Sequence, residues 1–168
     1  YLKEASFRLQ TEDALEFANS VEGPALAQLG TSCPDHFLRT RIRPLFIQWN
    51  PQTEDVATLK QRIQEGAAAY RRDYTSYYQE FAEPQSPKLR DANPSVVIIP
   101  GVGLFSFGKN KKEARITSEF FVNAIHVMAG ATALTGSEAA GHPYPQAKLP
   151  EHSKNFKCHS NYVALPLL

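Results

Sequence analysis

Only two of the 168 residues are cysteine, Cys33 and Cys158, too few for a disulfide framework or a four-thiolate zinc site. Their scarcity and wide separation suit a reducing compartment. No apolar run is long enough to cross a bilayer as a helix, and no charged-then-apolar leader opens the chain. A dominant sign of charge is also missing. Eighteen Lys and Arg stand against 17 Asp and Glu, a formal net charge of +1, so no overall field recruits nucleic acid or a membrane surface. Basic residues gather only locally, at Arg39, Arg41 and Arg43 and at Lys109, Lys111 and Lys112, and both groups read as solvated surface. A cytoplasmic protein with no nucleic-acid and no membrane partner is expected.

The remaining composition, 42% hydrophobic and 21% charged, suits one globular domain with a substantial core. The chain opens on Tyr1 and closes on the apolar "NYVALPLL", and both ends read as cut from something longer.

Periodicity divides the chain into helices and strands. Thr11–Val21 carries Ala14, Leu15, Phe17 and Ala18 at helical spacing behind a Thr-Glu-Asp start. "EGPALAQLG" follows as a short helical turn, with Pro24 suited to its beginning and Gly30 to the position past its end. "TSCPDHFLRT" reads as a loop around Pro34, and Ile42–Trp49 as a strand. A long helix then starts near "NPQTED", capped by Asn50 or Thr53. Its stripe of Val56, Leu59, Ile63, Ala67, Tyr70, Tyr74, Tyr77 and Phe81 predicts a packed face rather than a stacking platform for bases. After the proline-broken loop "EPQSPKLRDANP" come two strands, "SVVII" and "GLFSF", joined by Pro100-Gly101-Val102-Gly103. A second long helix follows, with Ala114, Phe121, Ala124, Ile125 and Met128 on one face. Residues 135–168 show no period and read as an irregular extension or linker.

The Gly-Val-Gly turn is the stretch with the most to say about function. A dinucleotide-binding turn must open directly into a helix whose N-terminus faces the phosphates. Here Leu-Phe-Ser-Phe-Gly alternates like a strand, Ser106 stands where a third glycine belongs, and the helix waits until Lys109-Asn110. A hairpin whose glycines supply positive φ accounts for the pattern.

"GVGLFSFGKNKKEA" resembles the strand-turn-strand-helix of class II aldolases, the aldolase/adducin family, matching at Gly103, Leu104, Gly108 and Ala114. In that family the turn reads His-Gly-Leu or His-Gly-Val, and its His is one of three zinc ligands. Val102 occupies that position here, and valine cannot coordinate a metal. "LGTSCPDHFLRTRIRPLFIQW" and "NPSVVIIPGVGLFSFGKNKKEARITSEFFVNAI" together resemble the bifunctional rhamnulose-1-phosphate aldolase/short-chain dehydrogenase proteins.

The resemblance implies an α/β fold, a β-sheet flanked by long helices like part of a class II aldolase domain. Residues 1–134 would form a degenerate aldolase-like region, and 135–168 would lead toward a dehydrogenase domain. The implied parent enzyme splits a ketose 1-phosphate using zinc and oxidises the aldehyde product with NAD. This segment would be a non-catalytic scaffold without metal or cofactor of its own, partnered by the rest of the parent chain and by further copies in a homo-oligomer. Two alternatives stand beside that reading: a metal-dependent lyase active in its own right, and a module binding a sugar phosphate or a partner.

Five histidines, His36, His126, His142, His152 and His159, include no His-x-His pair. His126 falls beside the apolar face of the last helix and reads as packed or partly exposed. His142, His152 and His159 with Cys158 match no familiar zinc spacing. In "SCPDHF", Cys33, Asp35 and His36 cluster, but a cysteine nucleophile needs a base positioned by the fold. Asp35 is placed to cap a turn after Pro34, and His36 to hydrogen-bond locally. No catalytic residue is expected. The candidate pocket lining is Cys33, Asp35, His36, Arg39, Arg41, Gly101, Val102 and Gly103, with Arg39 or Arg41 meeting a sugar phosphate.

Overall fold

A computed structural model describes residues 3–31, 33–89 and 91–135, with side chains to residue 131. The expected extension 135–168 lies almost wholly outside the described residues, as do His142, His152, Cys158 and His159. Among the described residues four strands form one sheet: β1 (Ala5–Leu9), β2 (Leu45–Phe46), β3 (Val96–Ile99) and β4 (Gly103–Gly108), in the order β1-β4-β3-β2. β4 runs antiparallel to both β1 and β3, whereas β2 runs parallel to β3. The fold is mixed α/β, with helices on both sheet faces.

Five helices lie among the described residues: α1 (Glu12–Asn19), α2 (Gly23–Leu26), α3 (Pro34–Thr40), α4 (Val56–Phe81) and α5 (Lys111–Thr135). β3 is buried at all four positions because the sheet is covered on both sides. Val96 and Ile98 join Leu104 beneath α1 and α5, where Phe17, Phe121, Ala124, Ile125 and Met128 complete the main core. Val97 and Ile99 point the other way, into a smaller cluster with Ile47 that α4 covers through Leu59 and Ile63.

Several local expectations need correcting. Pro34–Thr40 is a helix, not a loop: Pro34 sits at its first turn, Asp35 is acidic at the N-terminal end and Arg39 basic at the C-terminal end, all in their favoured places. The strand expected over Ile42–Trp49 shrinks to Leu45–Phe46 plus one further bond, Ile47 N to Ile98 O at 2.9 Å. Pro44 just ahead of it has no N–H to extend the ladder. β1 was not anticipated at all. Asp55 caps α4, accepting from the Thr58 amide at 2.8 Å. Asn50 instead closes the preceding turn with its carbonyl.

The stripe on α4 also packs only in part. Gly66 lies against Leu45 and Ile47, Tyr70 donates to the Arg43 carbonyl at 2.9 Å, and Tyr74 meets Arg41. Along α4 the contacts therefore step backward from β2 to the residues before it, so the helix runs antiparallel to β2. At 26 residues, α4 is about 39 Å long, against about 13 Å for the four residues of β3. The sheet ends before the stripe does. Tyr77 and Phe81 extend the ring ladder, at centroid spacings of 6.2 and 5.2 Å, beyond any strand, and Tyr70 is the only buried residue on the helix.

Candidate functional site

The β3–β4 connection is a type II turn. Val102 N donates to Ile99 O at 3.1 Å, Pro100 fills the second position, and Gly101 takes φ 73° in the third. Gly103 follows at φ 110°, where a Cβ would stand 2.7 Å from the Leu9 carbonyl of β1. The Gly101 amide donates to Asn19 Oδ1 at 2.7 Å, and Pro51 presses against its Cα side. β4 begins at Gly103 with no intervening helix, which removes the geometry that a pyrophosphate site requires.

Of the residues behind the family resemblance, Leu104 is a core side chain, while Gly103, Gly108 and Ala114 are fixed by the backbone around them. A Cβ at Gly108 would fall 2.5 Å from the Ala114 amide, so glycine lets the start of α5 fold onto the strand. Ala114 is fully buried, and its carbonyl accepts from the Ser106 hydroxyl at 2.6 Å. A reciprocal cap fixes that helix start: Asn110 Oδ1 accepts from the Glu113 amide, and Glu113 Oε2 accepts from the Lys109 amide. Val102 stands where the resemblance sets the turn's histidine. Its side chain packs against the apolar cluster of Ile47, Val97 and Ile99.

The fold does not gather the eight candidate residues. Cys33, Asp35, His36 and Arg39 lie on or next to α3, which packs against α5. Cys33 occupies the N-cap position without a side-chain capping bond, and Asp35 is exposed in the first turn, so it caps nothing. Among the described residues His36 makes no local side-chain hydrogen bond. Its ring meets Phe120 edge-on at 5.3 Å, and its buried Nδ1 has no partner among the described residues. Arg41 lies at the Ser95 end of β3, whereas Gly101, Val102 and Gly103 lie at the opposite end.

Arg41 departs furthest from its expectation as solvated surface. It ends α3 at φ 65°, ψ −168°, a region that glycine favours. Its guanidinium lies 4.4 Å from the Tyr74 ring centroid and donates to Ser95 Oγ at 3.3 Å and to Asp91 Oδ2 at 3.4 Å. Asp91, its side chain 4% exposed, also pairs with Lys3 at 3.1 Å. Burial alone would push the Asp91 carboxyl up; the Asn93 amide, Lys3 and Arg41 outweigh it and hold the group below the ordinary carboxylate value. Burial, then repulsion from Arg41, lowers Lys3 to about 8 despite Asp91. Lys3 directs its three N–H donors at Asp91 and at the Asn93 and Pro94 carbonyls, so none is left for a phosphate. The cluster ties β1, α3, α4 and the loop before β3 together. Sequence reasoning missed Lys3 and Asp91, and only the Asp-x-Asn turn at Asp91 hinted that the loop has fixed structure.

The zinc of the aldolase family does not fit the described residues. Val102 offers no donor, His36 lies on α3, and His126 pairs with Asp13 at 3.0 Å on an exposed surface. Among the described residues no three His, Cys, Asp or Glu side chains come together to hold a metal ion. A small cavity beneath α3, bordered by Thr40, Pro44 and Met128, has a volume of about 10 Å³, room for one water at most. No described helix is long and apolar enough to cross a membrane.

The sheet order, the glycine-built hairpin and the capped helix behind it form one mixed α/β unit, and comparison with known sequences gives its family. Residues 5–142 match the model for the class II aldolase second domain, and the chain belongs to that family. It is also 39% identical over 123 residues to "Uncharacterized oxidoreductase YuxG" of Bacillus subtilis (strain 168). That stretch is 73% of this chain but only 18% of the relative's length. No solved structure matches the chain.

Proposed function

We propose that this chain is the scaffold segment of a larger, bifunctional sugar-catabolic enzyme of the rhamnulose-1-phosphate aldolase/lactaldehyde dehydrogenase type. Val102 carries the proposal. An aliphatic side chain committed to an apolar cluster stands where the aldolase turn carries its zinc-binding imidazole. The membership in a class II aldolase family and the oxidoreductase name of a relative more than five times longer than the matched stretch support an aldolase-plus-dehydrogenase parent. Zinc and NAD would be held by other parts of that parent, in the cytoplasm. This segment holds a sheet and its helices in place for them.

Elemental analysis of the purified 168-residue chain, with a coupled assay for ketose 1-phosphate cleavage, tests the reading. Neither stoichiometric zinc nor cleavage is expected, and Val102→His should restore neither, since among the described residues no three His, Cys, Asp or Glu side chains come together. Tightly held zinc or measurable cleavage by the unaltered chain would defeat the scaffold reading. A thermal shift with millimolar phosphorylated ketose would point instead to a sugar-phosphate-binding module.

A further inference from the structure

β1 is an edge strand: β4 pairs with one side of it, and no described strand pairs with the other. A row of unpaired backbone groups along an edge is a template for another strand. Proteins commonly blunt such edges with charged side chains, and charge of one sign there would repel a second copy. The β1 edge carries both signs instead. Along its solvent face Glu4, Ser6 and Arg8 are exposed, while Ala5, Phe7 and Leu9 on the opposite face are half-buried.

Opposite charges four residues apart, with Ser6 midway, are self-complementary in one two-fold register. Antiparallel pairing centred on Ser6 sets Glu4 of each copy opposite Arg8 of the other, giving two ion pairs on the solvent face. Ala5 then faces Phe7 across the twofold on the apolar face, extending the cluster that Leu9 already borders. Centring on Ala5 or Phe7 instead sets Glu4 opposite Ser6 or Gln10 and forms no ion pair. The Arg8 guanidinium already reaches two acceptors, Gln10 Oε1 and the Val102 carbonyl, yet both contacts are exposed and leave it at the surface.

We infer that β1 is a homodimer interface, joining two copies of this chain edge to edge into a continuous eight-stranded sheet with Ser6 on the twofold axis. The partner is another copy of the same chain, selected by the Glu4–Arg8 pairing.

Sedimentation equilibrium of the full 168-residue chain and three variants tests the inference. The unaltered chain should dimerise. Arg8→Glu, which sets carboxylate against carboxylate twice, should weaken the dimer at least tenfold, as should Glu4→Arg. The double variant Glu4→Arg/Arg8→Glu, which restores opposite charges with reversed polarity, should recover it. Thermal melts of each variant guard against unfolding, and the double variant keeps the test sharp if one single variant folds poorly. A chain that stays monomeric at all concentrations overturns the inference. So does a dimer indifferent to both charge reversals, or a double variant no better than the singles.

Discussion

Two long helices of nearly equal length, α4 with 26 residues and α5 with 25, lie on opposite faces of the same short sheet and are held in different ways. α5 buries Ala114, Thr117, Ser118, Phe121, Ala124, Ile125 and Met128. α4 has the cleaner apolar stripe in sequence, yet it buries only Tyr70. The second half of α4 is fixed instead by polar contacts: the Arg41 guanidinium on Tyr74, Arg43 with Asp73, Arg71 with Asn93, and the Tyr78 hydroxyl donating to the Pro87 carbonyl. A stripe states what a helix can bury. The length of its partner decides how much of it is buried.

The contrast can be broken or sharpened by substitution, and the largest effect is expected on α5. Phe121, 4% exposed and edge-on to Phe17 at 6.0 Å, should lose about 3–5 kcal/mol on change to alanine, read from urea unfolding. A loss below about 1 kcal/mol would mean that the main core is not where the fold places it.

Next is the cluster that braces α4. Asp91→Ala leaves Lys3 and Arg41 without their shared carboxylate and should cost about 3 kcal/mol. Because the Asp91 carboxyl lies below its ordinary value in the folded chain, its contribution is fully present above the unfolded value. It fades as the pH falls through the folded value. Acid titration should therefore destabilise the unaltered chain more steeply than the Asp91→Ala variant, and parallel curves would remove Asp91 from the bracing role.

Smaller still, Tyr70→Phe removes the donor to the Arg43 carbonyl and should cost about 1 kcal/mol. Phe81, 47% exposed at the far end of the ladder, should lose no more than about 0.5 kcal/mol on change to alanine. Hydrogen exchange should rank the segments in the same order, with amides near Phe81 opening well before those near Phe121. Equal protection at the two places would erase the distinction between the helices.

Much of this fold was readable before any coordinates. The β3–β4 hairpin, the start of α5 at Asn110 and the buried face of α5 follow from spacing and capping chemistry that act within a few residues. What escaped depends on distant partners. β1 is too short and mixed to announce itself, and it becomes a strand because β4 offers it an edge. Arg41 looked like surface because no local pattern reveals that Lys3 and Asp91, far away in the chain, will close around it. The helix at Pro34–Thr40 is a different kind of miss, since its proline, acid and base signals were all present. For the candidate site, the identity of Val102 was plain from sequence. That the other candidates lie on separate parts of the fold was not.

Gly103 and Gly108 are required by what lies against them. Each is pinned by a backbone atom of another element within 3 Å of where a side chain would begin, so neither can drift while the hairpin persists. A family outline read through those two glycines therefore reports how backbone is fitted against backbone.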